Sequence, residues 1–157
     1  MLTRLSHLWL AVRLLPALLF DRRQRLLLAD MGAFVGGLPG RMQSPLKGMG
    51  QIDQEPIVAP VGLSPTTIRQ LADLAALSAR RSPLGLCLRR SLLRYRYLRP
   101  AGLPLTVLFG AKLLKNDNQR QVAGHAWVEL DGQPYHEADE NWRGFQVMFR
   151  WPPEPNS

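Results

Sequence analysis

The hydrophobic pattern along the chain changes period once, near Pro104. Before it, apolar positions recur every three to four residues; after it, they alternate. The leucine-rich stretch from Leu5 to Phe20 and the residues up to 30 read as one or two helices, broken near Pro16 and the charged cluster Asp21-Arg22-Arg23. Residues 31–62 show no sustained period and hold seven of the 13 glycines and four of the 13 prolines, so they are expected to be loop. A loop of that length inside a compact domain tends to be mobile or functional. Its run Gly36-Gly37-Leu38-Pro39-Gly40 does not lead into a Lys-Ser/Thr pair, so it is not read as a phosphate loop. Ser64-Pro65 gives an N-cap with proline at the first helical position, and Ile68, Leu71, Leu74, Ala75 and Leu77 continue a helix. Ser82-Pro83 repeats the start signal before a helix from Leu84 to Leu98, which stops at Arg99-Pro100-Ala101-Gly102.

Leu105 to Phe109 reads as a strand, the polar stretch Lys115 to Arg120 as a turn, and Gly124 to Leu130 as a second strand. Asp131-Gly132 is a strong two-residue hairpin signal into a third strand, Gln133 to Glu137. Phe145 to Trp151 is a fourth, closed by Pro152-Pro153. Helices first and an antiparallel sheet second predict an α+β fold rather than a wound parallel sheet. Residues 1–63 are expected to be N-terminal helices and a Gly/Pro-rich loop packing on a core formed by residues 64–157, within one structural domain. No internal repeat is visible.

Composition narrows the function classes. The chain has 157 residues, 46% of them hydrophobic, 20% charged and 8% aromatic, which describes a globular chain rather than a disordered one. One cysteine excludes an internal disulfide framework and any site needing two thiolates. With three histidines at unrelated spacings, no metal site is expected, and no cofactor motif is present. The leucine-rich N-terminal stretch is interrupted by Arg13 and Pro16, falls short of the about 20 apolar residues needed to span a bilayer, and lacks a small-residue cleavage pattern. It is read as a packed helix, and the protein as cytoplasmic. The net charge of +8 is unevenly spread. Residues 1–115 carry 17 basic and 5 acidic side chains, whereas residues 116–157 carry 3 and 7.

The lone thiol, Cys87, falls in the first turns of the helix that follows Ser82-Pro83. The positive end of the helix dipole favours a thiolate there, although a single cysteine beside an apolar face is also compatible with inert packing. His125 stands 38 residues downstream on the expected second strand, sharing a face with Trp127 and Glu129, away from the apolar Ala126, Val128 and Leu130. That placement leaves its imidazole reachable as a general base. Across the Asp131-Gly132 turn, Glu137 and Asp139 offer carboxylates to orient it. Order and spacing therefore allow a nucleophile, base and orienting acid in Cys87, His125 and either Glu137 or Asp139.

The block Cys87-Leu88-Arg89-Arg90-Ser91, the strand after Pro104, and His125-Ala126-Trp127-Val128-Glu129 followed by Asp131-Gly132 resemble the transglutaminase-like cysteine proteases of lasso-peptide biosynthesis. These are the leader peptidases related to the microcin J25 maturation protease. The resemblance spans about residues 64–151 and implies a transglutaminase/papain-like core of helix plus antiparallel sheet. It also implies a cysteine peptidase with Cys87 as nucleophile, His125 as base and Glu137 as the acid, twelve residues past the histidine. Aspartate is the commoner acid expected there, which keeps Asp139 as an alternative. The implied reaction removes the leader from a ribosomally made precursor peptide, without a cofactor. The implied partners are a separate leader-recognition protein and an ATP-dependent macrolactam synthetase. The same fold acting as an acyltransferase, or as a non-catalytic adaptor, is the alternative.

Seven arginines lie between Arg80 and Arg99 with no acid among them. Few aromatics accompany them and no nucleic-acid-binding motif is present, so they are read as a solvated helix face or a surface docking an acidic leader or partner rather than a nucleic-acid footprint. His136 is read as a surface histidine, and His7 has no evident partner.

Overall fold

A computed structural model describes residues 21–57, 62–116 and 119–153. The Asp21 carboxylate accepts the Arg23 N–H at 2.9 Å and starts helix α1 (Arg22–Arg41). Its buried stripe is Leu27, Met31, Phe34, Val35 and Leu38, spaced as one face of a helix. A second helix, α2 (Pro45–Gln54), follows Ser44 and buries Met49 and Ile52. The expectation of loop over residues 31–62 is thereby corrected over residues 31–41 and 45–54. α1 runs on through Gly36-Gly37-Leu38-Pro39-Gly40, and the cluster Asp21-Arg22-Arg23 is its start. Each interior glycine weakens a helix by about 1 kcal/mol relative to alanine, but burial of five large side chains on one stripe outweighs that. Gly48 has a local role. A Cβ there would lie 2.5 Å from the Arg41 carbonyl oxygen, so only glycine lets α2 approach the end of α1 this closely. The leucine-rich stretch from Leu5 to Phe20 lies outside the described residues. Among those described, no helix is long and apolar enough to cross a membrane.

Helix α3 (Pro65–Ser78) begins as its sequence signals, with Ser64 Oγ accepting the Thr67 N–H. Helix α4 (Leu86–Leu98) starts after Gly85, and Ser82-Pro83 makes the turn before it. The strands are β1 (Leu105–Asn116), β2 (Gln119–Leu130), β3 (Gln133–Pro134) and β4 (Gln146–Trp151), with the single-turn helix α5 (Asp139–Trp142) between β3 and β4. They form one antiparallel sheet in the order β3-β2-β1-β4. Helices followed by an antiparallel sheet make the fold α+β, as expected. Asp131 and Gly132, at φ 51° and 76°, form the predicted hairpin turn. β3 is shorter than expected because His136 adopts φ 50°, which turns the chain out of the ladder.

α4 is buried from Ser91 to Leu98, and this corrects the reading of Arg89, Arg94 and Arg96 as part of a solvated or docking face, while Arg80, Arg81 and Arg99 are exposed. Arg89, Arg94 and Arg96 are buried. Arg89 donates to the Ala79 carbonyl. Arg96 donates to the carbonyls of Ile52 and Pro56. Arg94 forms a two-pronged pair with Asp73 on α3, at 2.8 and 2.9 Å, and also donates to the carbonyls of Tyr135 and His136. Planar guanidinium groups bury well when several acceptors converge on them. The basic excess in this segment is therefore largely internal wiring. Tyr95 and Arg99 extend it, both donating to Asp53, which also accepts the Trp151 indole N–H.

Asp73→Ala would leave the Arg94 charge buried without its carboxylate, and breaking such a pair costs about 3–5 kcal/mol. Urea unfolding should show that loss. Arg143→Ala, which removes the exposed pair with Asp139, should change the urea midpoint little.

Candidate active site

Cys87 is the second residue of α4, where helical N–H groups have no intrahelical partner and the dipole is positive. The His125 imidazole and the backbone N–H groups of Ala126 and Leu88 lie beside its sulfur and favour its ionised form. The imidazole contact does most to hold the thiol below its ordinary 9.0, with burial opposing it. His125 is raised to about 9, first by Cys87 and then by Glu137, again against burial. The two shifts have one cause seen from both sides: the thiol and the imidazole each favour the charged form of the other.

The Glu137 side chain is 1% exposed, and its Oε1 lies 3.5 Å from His125 Nε2, leaving Nδ1 for the thiol. Its other oxygen accepts from Arg90 at 2.6 Å, and Asn141 donates to Oε1 at 2.8 Å. Burial pushes this carboxyl up, but His125, the Arg90 charge and Asn141 together outweigh that and hold it below its usual value. The carboxylate is thus ionised, dry and aimed at the imidazole. Asp139 is not brought to the site. It is exposed and pairs with Arg143 at 2.5 Å, at the start of α5.

Alternation on β2 puts His125, Trp127 and Glu129 on one face, as expected, but that face is covered: Trp127 is only 2% exposed. The imidazole stacks on Trp127 (centroids 5.9 Å apart) and contacts the Phe145 ring at 5.4 Å. Trp127 can lie there because its cross-strand neighbour region holds Gly110, where a Cβ would come within 2.8 Å of the indole. Ser91, one turn beyond Cys87, donates to the Ala126 carbonyl and fixes α4 against β2. An open cleft of about 370 Å³ lies against the sulfur, bounded by Leu88, Phe109, Gly124 and His125. A larger one of about 560 Å³, between α1 and the α3–α4 turn, has Val35, Gly36, Arg80 and Arg81 in its wall and no base or thiol.

A family profile described as the transglutaminase-like superfamily matches residues 41–150, most of the chain and all three of Cys87, His125 and Glu137. The chain belongs to the transglutaminase-like superfamily. Neither a curated protein nor a solved structure matches it. Within this superfamily member, sequence reasoning missed Arg90, Asn141, Trp127 and Phe145 as parts of the site. Arg90 was in principle findable, because i and i+3 are neighbours on a helix and place it beside Cys87. Asn141, four residues past Glu137, depends on α5, which gave no signal. Among the described residues, no cluster suits a metal ion.

The arrangement can supply a thiol that ionises more readily than a free one, with a proton donor beside it. Iodoacetamide should alkylate Cys87 at pH 6 faster than a free thiol, and His125→Ala should remove that advantage. Turnover should follow a bell-shaped pH profile. Its acid limb would mark loss of the Cys87 proton, below the ordinary thiol value, and its alkaline limb loss of the His125 proton near pH 9. Glu137→Gln removes a raising influence from His125, so the alkaline limb should move to lower pH.

Proposed function

We propose that this protein is a cysteine peptidase that cleaves the leader from a ribosomally synthesised lasso-peptide precursor. The observation that carries the hydrolase part is the Cys87–His125–Glu137 contact chain at a helix N-terminus, opening on a cleft. The resemblance of the Cys87-Leu88-Arg89-Arg90-Ser91 and His125-to-Glu129 blocks to lasso-peptide leader peptidases supports the substrate. In this reading the Cys87 thiolate attacks the scissile carbonyl, and the developing oxyanion is met by the Cys87 N–H in the first turn of α4. The His125 imidazolium gives its proton to the leaving amine as the carbon–nitrogen bond breaks. Water, losing a proton to His125, then attacks the thioester, releasing the leader as a carboxylic acid and restoring the thiol. Glu137 holds the imidazole in place and balances its charge throughout. The freed amine of the core peptide then passes to an ATP-dependent macrolactam synthetase, and a separate recognition protein presents the leader. A cytoplasmic setting suits a reduced thiol nucleophile.

The test mixes the protein, its precursor and the recognition protein, with mass spectrometry as the readout. Two fragments whose masses sum to the precursor plus one water are expected, with none formed by Cys87→Ala. His125→Ala should cost about 10²–10⁴-fold in rate. An intact precursor, or a fragment carrying an amine in place of water, would overturn leader hydrolysis.

A further inference from the structure

The hairpin of β1 and β2 extends past the rest of the sheet. β4 pairs with β1 only as far as Ala111, and β3 pairs with β2 only at Glu129 and Leu130. The remainder of β2 is an edge on the side of the nucleophile. Three contacts fix which of its residues turn their backbone groups outward. The Val128 carbonyl accepts the Tyr135 N–H, the Ala126 carbonyl accepts from Ser91, and the Ala126 N–H points at the Cys87 sulfur. Every second residue of an antiparallel strand bonds to the same side, so Gly124 and Val122 present their N–H and C=O groups along the same line. Among the described residues, no strand pairs with them.

The same residues also define one face of the hairpin. Val122, Gly124 and Ala126 on β2 lie opposite Leu113, Ala111 and Phe109 on β1, so the five side chains of these three pairs are all apolar, and the pair Lys115–Arg120 follows beyond them. Val122 and Leu113 are 70% and 67% exposed. Gly124 is exposed, and a Cβ there would touch nothing within 4 Å, so it leaves a gap beside the sulfur. An open backbone edge and an apolar face that begin at the nucleophile and lead away from it are what an added strand requires: hydrogen bonds from the edge and side-chain pockets at alternate positions.

We infer that the substrate peptide is held as an added strand along β2 at Gly124 and Val122, with an apolar side chain laid against the Val122–Leu113 pair. The occupant is the substrate because the edge is continuous with the cleft that holds Cys87. The residue opposite Gly124 flanks the scissile bond. The one opposite Val122 is two residues further along, about 7 Å away, and is the specificity position. The inference rests on the peptide-hydrolase reading and adds a substrate class to it: an extended segment with Leu, Ile, Val or Phe two to three residues from the cut.

A positional-scanning library of fluorescence-quenched decapeptides tests it with the full chain. Wild-type protein should prefer an apolar residue at that spacing on one side of the cut. In Val122→Asp and in Leu113→Asp, kcat/KM for those peptides should fall roughly tenfold, with the iodoacetamide rate at Cys87 unchanged. N-methylation of the best peptide, one amide at a time, should be harmful at alternate residues on that side. An unchanged preference in both variants, or uniform tolerance of N-methylation, would overturn the docking edge and leave the hydrolase standing. Rapid alkylation of Cys87 with no library peptide cut by the wild type, and no fragments from the precursor presented by its recognition protein, would overturn both.

Discussion

The Arg94 guanidinium lies in the middle of the protein, bonded at once to a carboxylate on α3 and to two carbonyls of the segment after β3. A buried cation deprived of such partners is strongly destabilising, so the chain is held in the arrangement that supplies them all. α3, α4 and the turn after β3 therefore share one geometry. Glu137 follows His136, whose carbonyl Arg94 holds, and its carboxylate is taken by Arg90, one turn earlier on α4. The acid is thus positioned from the helix that carries the nucleophile. The pairing with β2, whose last bond is from the Tyr135 N–H to the Val128 carbonyl, ends two residues before the acid.

Charge balance gives the same site its chemical state. Arg90, Glu137, His125 and Cys87 form a row of alternating sign when the last two exist as imidazolium and thiolate. Each ion in a half-dry site is stabilised by its neighbours and destabilised by burial. Without Glu137, the imidazolium would have the thiolate alone for compensation. Without Arg90, a carboxyl that is 1% exposed would lose its closest counter-charge. The low dielectric that makes each contact strong also makes each omission costly. A single thiol suffices here because three other residues prepare it.

Much of this was legible in the sequence, and what was not has a physical cause. The change of period near Pro104, the Ser64-Pro65 start and the Asp131-Gly132 turn are local signals, and local physics decided those elements. Within the loop expected over residues 31–62, α1 runs on to Arg41 because burial of Met31, Phe34, Val35 and Leu38 overrode the low helix propensity of the glycines between them, and α2 follows over Pro45–Gln54. Cys87, His125 and Glu137 could be picked out by type and spacing, and the structure brings these three together while Asp139 stays outside. The arginines misled for a related reason. A run of cations without acids looks solvated in one dimension, yet its acceptors, Asp73 and the carbonyls of Ile52, Pro56, Ala79, Tyr135 and His136, come from distant segments.

The division of labour on β2 depends on register. Odd-numbered residues send side chains toward the imidazole face, and even-numbered ones send backbone groups toward α4 and the open edge. A slip of one residue would exchange the two sets and remove the base from the thiol. Two features oppose it. The Asp131-Gly132 turn fixes the pairing of β2 with β3, both its residues holding positive φ. On the other side, the Trp127 indole rests against Gly110, and any residue with a Cβ at that place would meet the ring at 2.8 Å. Shifting β2 by one position along β1 would bring Trp127 over Phe109 or Ala111 instead, and neither leaves room for it. One glycine on a neighbouring strand therefore helps keep His125 against Cys87, although it touches neither substrate nor sulfur.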